Sequence, residues 1–162
     1  MSNFAKYAIH NKSYSVKFER TSKQNDGFNT INIEGYKKQS GNNECLANVQ
    51  LTPSELYRLL ALFNGICSGF SLHRAHKNTT VKCKKQAATQ AGKPSTLYLE
   101  INAGGKDRHI SLVIDAYEAI VIASLILDTL TSNTPNIPAE VAINMLQRQY
   151  DAFKPSELQL EQ

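Results

Sequence analysis

With 162 residues, 41% hydrophobic and 20% charged, the chain reads as one globular domain with enough length for a real core, which argues against a membrane-embedded or an unfolded protein. The formal net charge of +4 conceals a division: residues 1–110 carry 16 Lys/Arg against 7 Asp/Glu (+9), and residues 111–162 carry 2 against 7 (−5). Three cysteines (Cys45, Cys67, Cys83), odd in number and without paired spacing, favour reduced thiols in a cytoplasmic setting over a disulfide framework.

Met1 to Tyr7 lacks the apolar run of a signal peptide, and residues 1–13 predict a loose arm or a short edge strand around residues 7–10. Tyr14-Ser-Val-Lys-Phe-Glu-Arg20 alternates as a strand does, with Tyr14, Val16 and Phe18 on one face and Ser15, Lys17 and Glu19 on the other. Asp26-Gly27 marks a turn. The next strand, from Asn29 to Lys38, points Ile31 and Ile33 inward and Thr30, Asn32, Glu34, Tyr36 and Lys38 outward. Glu44 to Leu51 follows, with Cys45, Ala47, Val49 and Leu51 expected on one face. A helix is predicted over Pro53 to Ile66, its Leu56, Leu59, Leu60 and Phe63 at helical spacing.

The second half repeats the plan. Gly69 to Arg74 and Thr79 to Gln86 read as strands, the latter with Val81 and Cys83 inward and Lys82 and Lys84 outward. Residues 87–95, with Gly92 and Pro94, read as a flexible loop. Thr96 to Asn102 sets Leu97, Leu99 and Ile101 inward and Tyr98, Glu100 and Asn102 outward; Gly104-Gly105 turns the chain, and Lys106 to Ile114 returns. Asp115 is then an N-cap with Glu118 three residues on, just as Thr52 precedes Glu55, all at an offset of 63 residues. The helix from Ala116 to Leu130 is apolar on nearly every side (Ile120, Val121, Ile122, Leu125, Ile126, Leu127), so it wants cover from its own sheet and from a further partner. It is shorter than the ~17–25 residues a bilayer requires. A third helix spans 139–152, and 153–162 reads as a flexible tail. The expected organisation is therefore a single α+β domain over 1–152: two repeats of antiparallel strands followed by a helix, about 7–66 and 69–130, plus a C-terminal helix.

Chemistry-bearing motifs are few. The chain has no Walker-type loop, G-x-S-x-G or H-E-x-x-H, and Asp115 with Glu118 is explained by capping. His73-Arg-Ala-His76 with Cys83 matches a zinc site poorly and reads as exposed turn histidines. The protein is therefore read as non-enzymatic, with no cofactor and no metal. The outward strand faces are more telling. Lys17, Tyr36, Lys38, His73, Lys82, Lys84, Tyr98 and His109, with Lys106 and Arg108 flanking the second hairpin, interleave cations with aromatics. A solvated sheet face has such polar residues anyway. A single-stranded nucleic acid also needs this pattern, because bases stack on flat rings while phosphates pair with cations.

This layout resembles the Whirly fold, the group of plant Whirly proteins, trypanosome mitochondrial RNA-binding proteins and, with one repeat per chain, the coactivator PC4. Lys84-Lys85-Gln86-Ala87-Ala88 is similar to the Lys-Gly-Lys-Ala-Ala-Leu motif of plant Whirly proteins, though it lacks the glycine and the leucine and lies in the second repeat. The resemblance covers residues 14–130 and implies largely sequence-independent binding of single-stranded DNA or RNA on the sheets, with central helices and assembled chains. The expected function is accordingly a single-stranded nucleic-acid-binding protein, DNA before RNA, that protects or organises exposed strands in replication, recombination or mobile-element transfer. Lys17, Lys38, Lys82, Lys84, Lys106 and Arg108 would meet phosphates, Tyr36 and Tyr98 would stack bases, and His73 and His109 would add hydrogen bonds. A homo-oligomer, dimer or tetramer, would form through the helices. The alternative is a protein–protein adaptor whose apolar helix is an oligomer interface and whose basic sheet meets an acidic partner.

Overall fold

The computed structural model describes residues 5–22, 27–88 and 90–153. Strands β1 (Lys6–His10), β2 (Tyr14–Ser22), β3 (Asn29–Lys37) and β4 (Glu44–Gln50) lead into α1 (Pro53–Phe63). Strands β5 (Gly69–Arg74), β6 (Thr79–Gln86), β7 (Thr96–Asn102) and β8 (His109–Ile114) lead into α2 (Ala116–Asn133), and α3 (Ala139–Phe153) follows. Each set of four forms its own antiparallel sheet in sequence order, β1-β2-β3-β4 and β5-β6-β7-β8. The expected α+β repeat is thus present, and the short segment near residues 7–10 supplies the first sheet's fourth strand. The tail expected from 153 onward lies, past Phe153, outside the described residues.

Register shows how closely the repeats correspond. Lys17 pairs across to Glu34 and Glu34 to Asn48; in the second sheet Lys82 pairs to Glu100 and Glu100 to Ser111. Asn48 and Ser111 stand equally far before the helix caps Thr52 and Asp115, so these two rows occupy equivalent places. Both caps are reciprocal: the Thr52 and Asp115 side chains accept from the N–H groups of Glu55 and Glu118, whose carboxylates accept from the cap N–H groups in return.

The sheets' inner faces meet where the first repeat is small and the second is large. A Cβ on Gly35 would lie 2.6 Å from Ile110 Cδ1 and 3.4 Å from Ile101 Cδ1, with Ala47 beside it. Gly35 pairs with Ala47 and Ile101 pairs with Ile110, the same positions in the two repeats. Away from this contact the helices fill the core, and each crosses over. α2 packs chiefly on α1 and on β3 and β1 of the first sheet, whereas α1 meets β5 of the second. This corrects the expectation that α2 lies on its own sheet. Its far end is anchored to the other one: Asn29 N–H donates to Asn133 Oδ1 (2.7 Å), Asn133 Nδ2 donates to Asn29 O (2.7 Å), and Asn29 Nδ2 donates to Ser132 Oγ (2.9 Å). Ile122, Leu125, Ile126 and Leu130 of α2 are buried, but Tyr117 and Ile120 stand 70% and 68% exposed, so the predicted all-round cover is incomplete.

Several local expectations are revised. A register shift opposite Gly35 and Tyr36 turns Leu46 into the core and leaves Cys45 exposed, the reverse of strict alternation. Thr30, expected outward, is buried, and its hydroxyl donates to Leu51 O at 2.8 Å. α1 stops at Phe63 because Asn64 caps it and Gly65 takes a left-handed conformation (φ +72°). α2 runs three residues beyond Leu130, and the hydroxyls of Thr131 and Ser132 donate back to its carbonyls.

Gly35→Ala is expected to destabilise the protein by about 1–3 kcal/mol through overpacking, read as a lower urea midpoint at unchanged slope. Adding Ile110→Val, which removes the struck methyl, recovers part of the loss in a double-mutant cycle.

Candidate nucleic-acid interface

The strand periodicity that buries Leu99 and Ile101 turns their neighbours outward. On the second sheet's outer face three rows run across the strands: Gly69–Lys84–Tyr98–Val113, Ser71–Lys82–Glu100–Ser111 and His73–Thr80–Asn102–His109. Lys84 Nζ lies 5.7 Å from the centroid of the Tyr98 ring, a cation–π contact. Lys82 lies one row along, opposite Glu100. Glu100 faces His109 instead, Oε1 to Nε2 at 3.9 Å, and His73 Nδ1 lies 2.9 Å from Thr80 Oγ1. Beyond Lys84 the strand ends open a cleft of about 540 Å³ lined by Lys84, Lys85, Gln86, Lys93 and Thr96, among others. Lys85 and Lys93 were not among the expected site residues. Lys93 sits in a loop whose position no periodicity reports. Among the described residues, Lys82, Lys84, Lys85 and Lys93 make no salt bridge. At ~3.3 Å per residue, the face from this cleft to the β7–β8 turn extends roughly 20 Å. Exposed Lys106 lies on that turn.

The other expected residues are placed differently. Lys17 and Tyr36 lie on the outer face of the first sheet, so the ten candidates do not form one surface. Lys17 Nζ is 2.8 Å from both Glu19 and Glu34. The Tyr36 hydroxyl donates to Glu34, as do Asn32 Nδ2 at 2.9 Å and Asn48 Nδ2 at 3.4 Å. These bonds push the Lys17 ammonium well above its ordinary value and, with burial, the Tyr36 phenol up to about 12. Burial pushes the Glu34 carboxyl up, but hydrogen bonds from Lys17, Tyr36 and Asn32 outweigh it and hold the group below the usual carboxylate value.

Lys38 Nζ donates to Asn11 O at 2.7 Å, at the β1–β2 turn. Arg108 closes the gap between the sheets: its Nη2 donates to Leu46 O at 2.9 Å, its Nε to Ala103 O at 3.2 Å, and Glu44 lies 3.9 Å from Nη1. Two more cations repeat that act along β4, Lys77 to Asn48 O (3.0 Å) and Arg74 to Gln50 O (3.0 Å). Arg74 also grips the capping carboxylate Glu55, with Nη1 2.7 Å from Oε1. For Glu55, burial is again outweighed, here by Arg74 and by the cap's own N–H, so its carboxyl lies below the ordinary value.

Cys83 faces the core, where burial raises its thiol to about 12, while His73 and His76 are exposed. They do not converge, and no group of three or more His, Cys, Asp or Glu suited to a metal occurs among the described residues. No helix there is long and apolar enough to cross a membrane.

The fold is similar to that of a Trypanosoma brucei MRP1/MRP2 crystal structure, with a TM-score of 0.56 over 80% of this chain and 84% of that one. The two are 15% identical, so the likeness is one of fold alone. No family model matches the chain, and no curated protein does.

The depressed Glu34 and Glu55 carboxyls contribute stability that is present above the ordinary carboxylate range and lost as pH falls through their folded values. Acid unfolding of the wild type is therefore expected to be steeper than that of Glu55→Gln, measured by circular dichroism from pH 7 to pH 2.

Proposed function

We propose that the protein binds single-stranded nucleic acid, DNA in preference to RNA and with little dependence on sequence, on the outer face of its second sheet. The observation that carries this reading is the pairing of the Tyr98 ring with Lys84, next to Lys82 and continuous with a lysine-lined cleft, where no described carboxylate neutralises these lysines. Flat rings accept bases of any identity and the lysines meet phosphates, so affinity comes without base readout. The reading accords with the Whirly and PC4-like group that the sequence resembles, whose members take single strands on their sheets. Protection or organisation of exposed strands in replication, recombination or mobile-element transfer is the role such binding serves. The interface needs no cofactor, and no catalytic step is invoked.

The decisive experiment is fluorescence anisotropy with labelled single-stranded DNA, single-stranded RNA and duplex DNA across a salt series. Single strands are expected to bind best, with log affinity falling against log salt at a slope near −3, about −0.7 for each phosphate met by four lysines. Lys84→Ala flattens that slope by about one contact, and Tyr98→Ala costs ~1–3 kcal/mol whatever the sequence. Absence of binding at low salt would sink the proposal.

We infer in addition that the chains assemble, since Tyr117 and Ile120 project from the first turns of α2 with 70% and 68% of their surface open. Ile120→Asp is expected to lower the mass measured by analytical ultracentrifugation. A stable oligomer that is indifferent to every nucleic acid would instead favour the adaptor, with an acidic partner on the basic sheet.

A further inference from the structure

The duplication makes the two outer faces comparable residue by residue. The row Lys17–Glu34–Asn48 of the first sheet corresponds to Lys82–Glu100–Ser111 of the second, and its neighbour Lys6–Glu19–Asn32–Gln50 corresponds to Gly69–Lys84–Tyr98–Val113. Glu19 therefore stands where the second repeat has Lys84, and Asn32 stands where it has Tyr98. Both sheets retain the crosswise Lys–Glu pair, but its behaviour differs. Lys17 lies between two carboxylates at 2.8 Å, whereas Lys82 has no carboxylate within salt-bridge reach among the described residues. Glu34 is further fixed by Tyr36, Asn32 and Asn48, which holds the ring of Tyr36 to the network by its hydroxyl.

We propose that Glu19 and Glu34 close the first sheet's outer face to nucleic acid, so that each chain binds a strand on one sheet only, and that these two carboxylates set which sheet is used. The inference rests on the proposed single-strand binding and deepens it. Two carboxylates enclose one ammonium, and with Lys6 across from Glu19 the site carries no net positive charge where a phosphate would have to sit. At the equivalent place Lys82 and Lys84 leave the second sheet positive, even with Glu100 counted. The first face already holds a lysine, a tyrosine and amide side chains suited to bases, so the carboxylates, together with Asn32 in place of the Tyr98 ring, keep it from duplicating the second.

The test is to convert the first face and measure binding of the full chain to labelled oligothymidylates of increasing length. Glu19→Lys with Asn32→Tyr copies the second sheet's row; Glu34→Gln keeps the hydrogen-bond acceptor and removes only the charge. All the altered side chains lie on the sheet's outer face, and circular dichroism with thermal melting confirms that each variant folds. The double variant is expected to bind at least fivefold tighter on long oligomers, to steepen the salt slope by one to two phosphate contacts, and to occupy a longer stretch per chain. Glu34→Gln is expected to give a smaller gain, two- to fivefold, which Lys17→Met in the same background abolishes. A wild type that binds, with folded variants unchanged in affinity, slope and occupied length, would overturn the inference and leave the binding reading intact. A wild type that binds no single strand at all overturns that reading, and with it this one.

Discussion

The structure depends on one close approach, that of Gly35 and Ala47 to Ile101 and Ile110. Two repeats with equally bulky residues at these positions could not bring their sheets together, because the inner faces are already filled by the side chains that make each sheet stable. The chain solves this by making one repeat small where the other is large, so the same backbone position serves as hole in one sheet and knob in the other. Away from that contact the helices fill the core between the sheets. A helix following β8 then reaches the first sheet as readily as its own, and the paired amides of Asn29 and Asn133 select the first. The crossing of α1 and α2 makes the repeats inseparable, because each helix completes the other repeat's core.

The second tie between the repeats is polar and draws on the basic charge of the first 110 residues. Every second carbonyl along β4, from Leu46 to Gln50, receives a cation from the second repeat: Arg108, Lys77 and Arg74 in turn. These are acceptors that an edge strand would otherwise offer to another chain, so the bonds that join the repeats also block edge-to-edge pairing. Arg74 adds the capping carboxylate of α1 to the same junction, and the start of that helix is thereby fixed to β5. The equivalent Glu118 in α2 serves its cap alone among the bonds of the described residues. The two repeats carry similar caps, and only that of α1 also meets the other repeat.

Much of this was legible in the sequence, and the reasons are local. Alternation placed the strands and their inward residues. The offset of 63 between the capping boxes revealed the duplication, because a cap needs a short oxygen-bearing side chain followed three residues later by a carboxylate. Alternation failed at Cys45, where one extra residue in β4 flips every position before it, and at Thr30, whose small hydroxyl finds a carbonyl and so tolerates burial. The site was less legible. Lys17, Arg108 and Lys84 look alike in sequence, yet the first is held between two carboxylates, the second spans the sheets and the third lies over a ring. Which cations are spent internally is decided by cross-strand neighbours and by contacts more than sixty residues apart, and periodicity carries no information about either. Lys93 was missed for the complementary reason: a loop residue has no period, and its value comes from where the flanking strands end.

Net charge therefore overstates the reach of the basic half. Its excess of nine positive charges includes three cations committed to β4, one tied at the β1–β2 turn and one enclosed by Glu19 and Glu34. Lys6, Lys12, Arg20 and Lys37 of the first repeat also make no salt bridge among the described residues, so what distinguishes the second sheet is what its lysines stand beside. Lys82 and Lys84 stand on the outer face where Tyr98 lies beside a cation, and Lys85 and Lys93 line the cleft at the end of β6. A protein that merely needed solubility would gain as much from charge on either sheet. Placing Lys82 and Lys84 two residues apart on one outer face, with Lys85 and Lys93 at its end, costs mutual repulsion among like charges, and a polyanion laid along that sheet is what would relieve it.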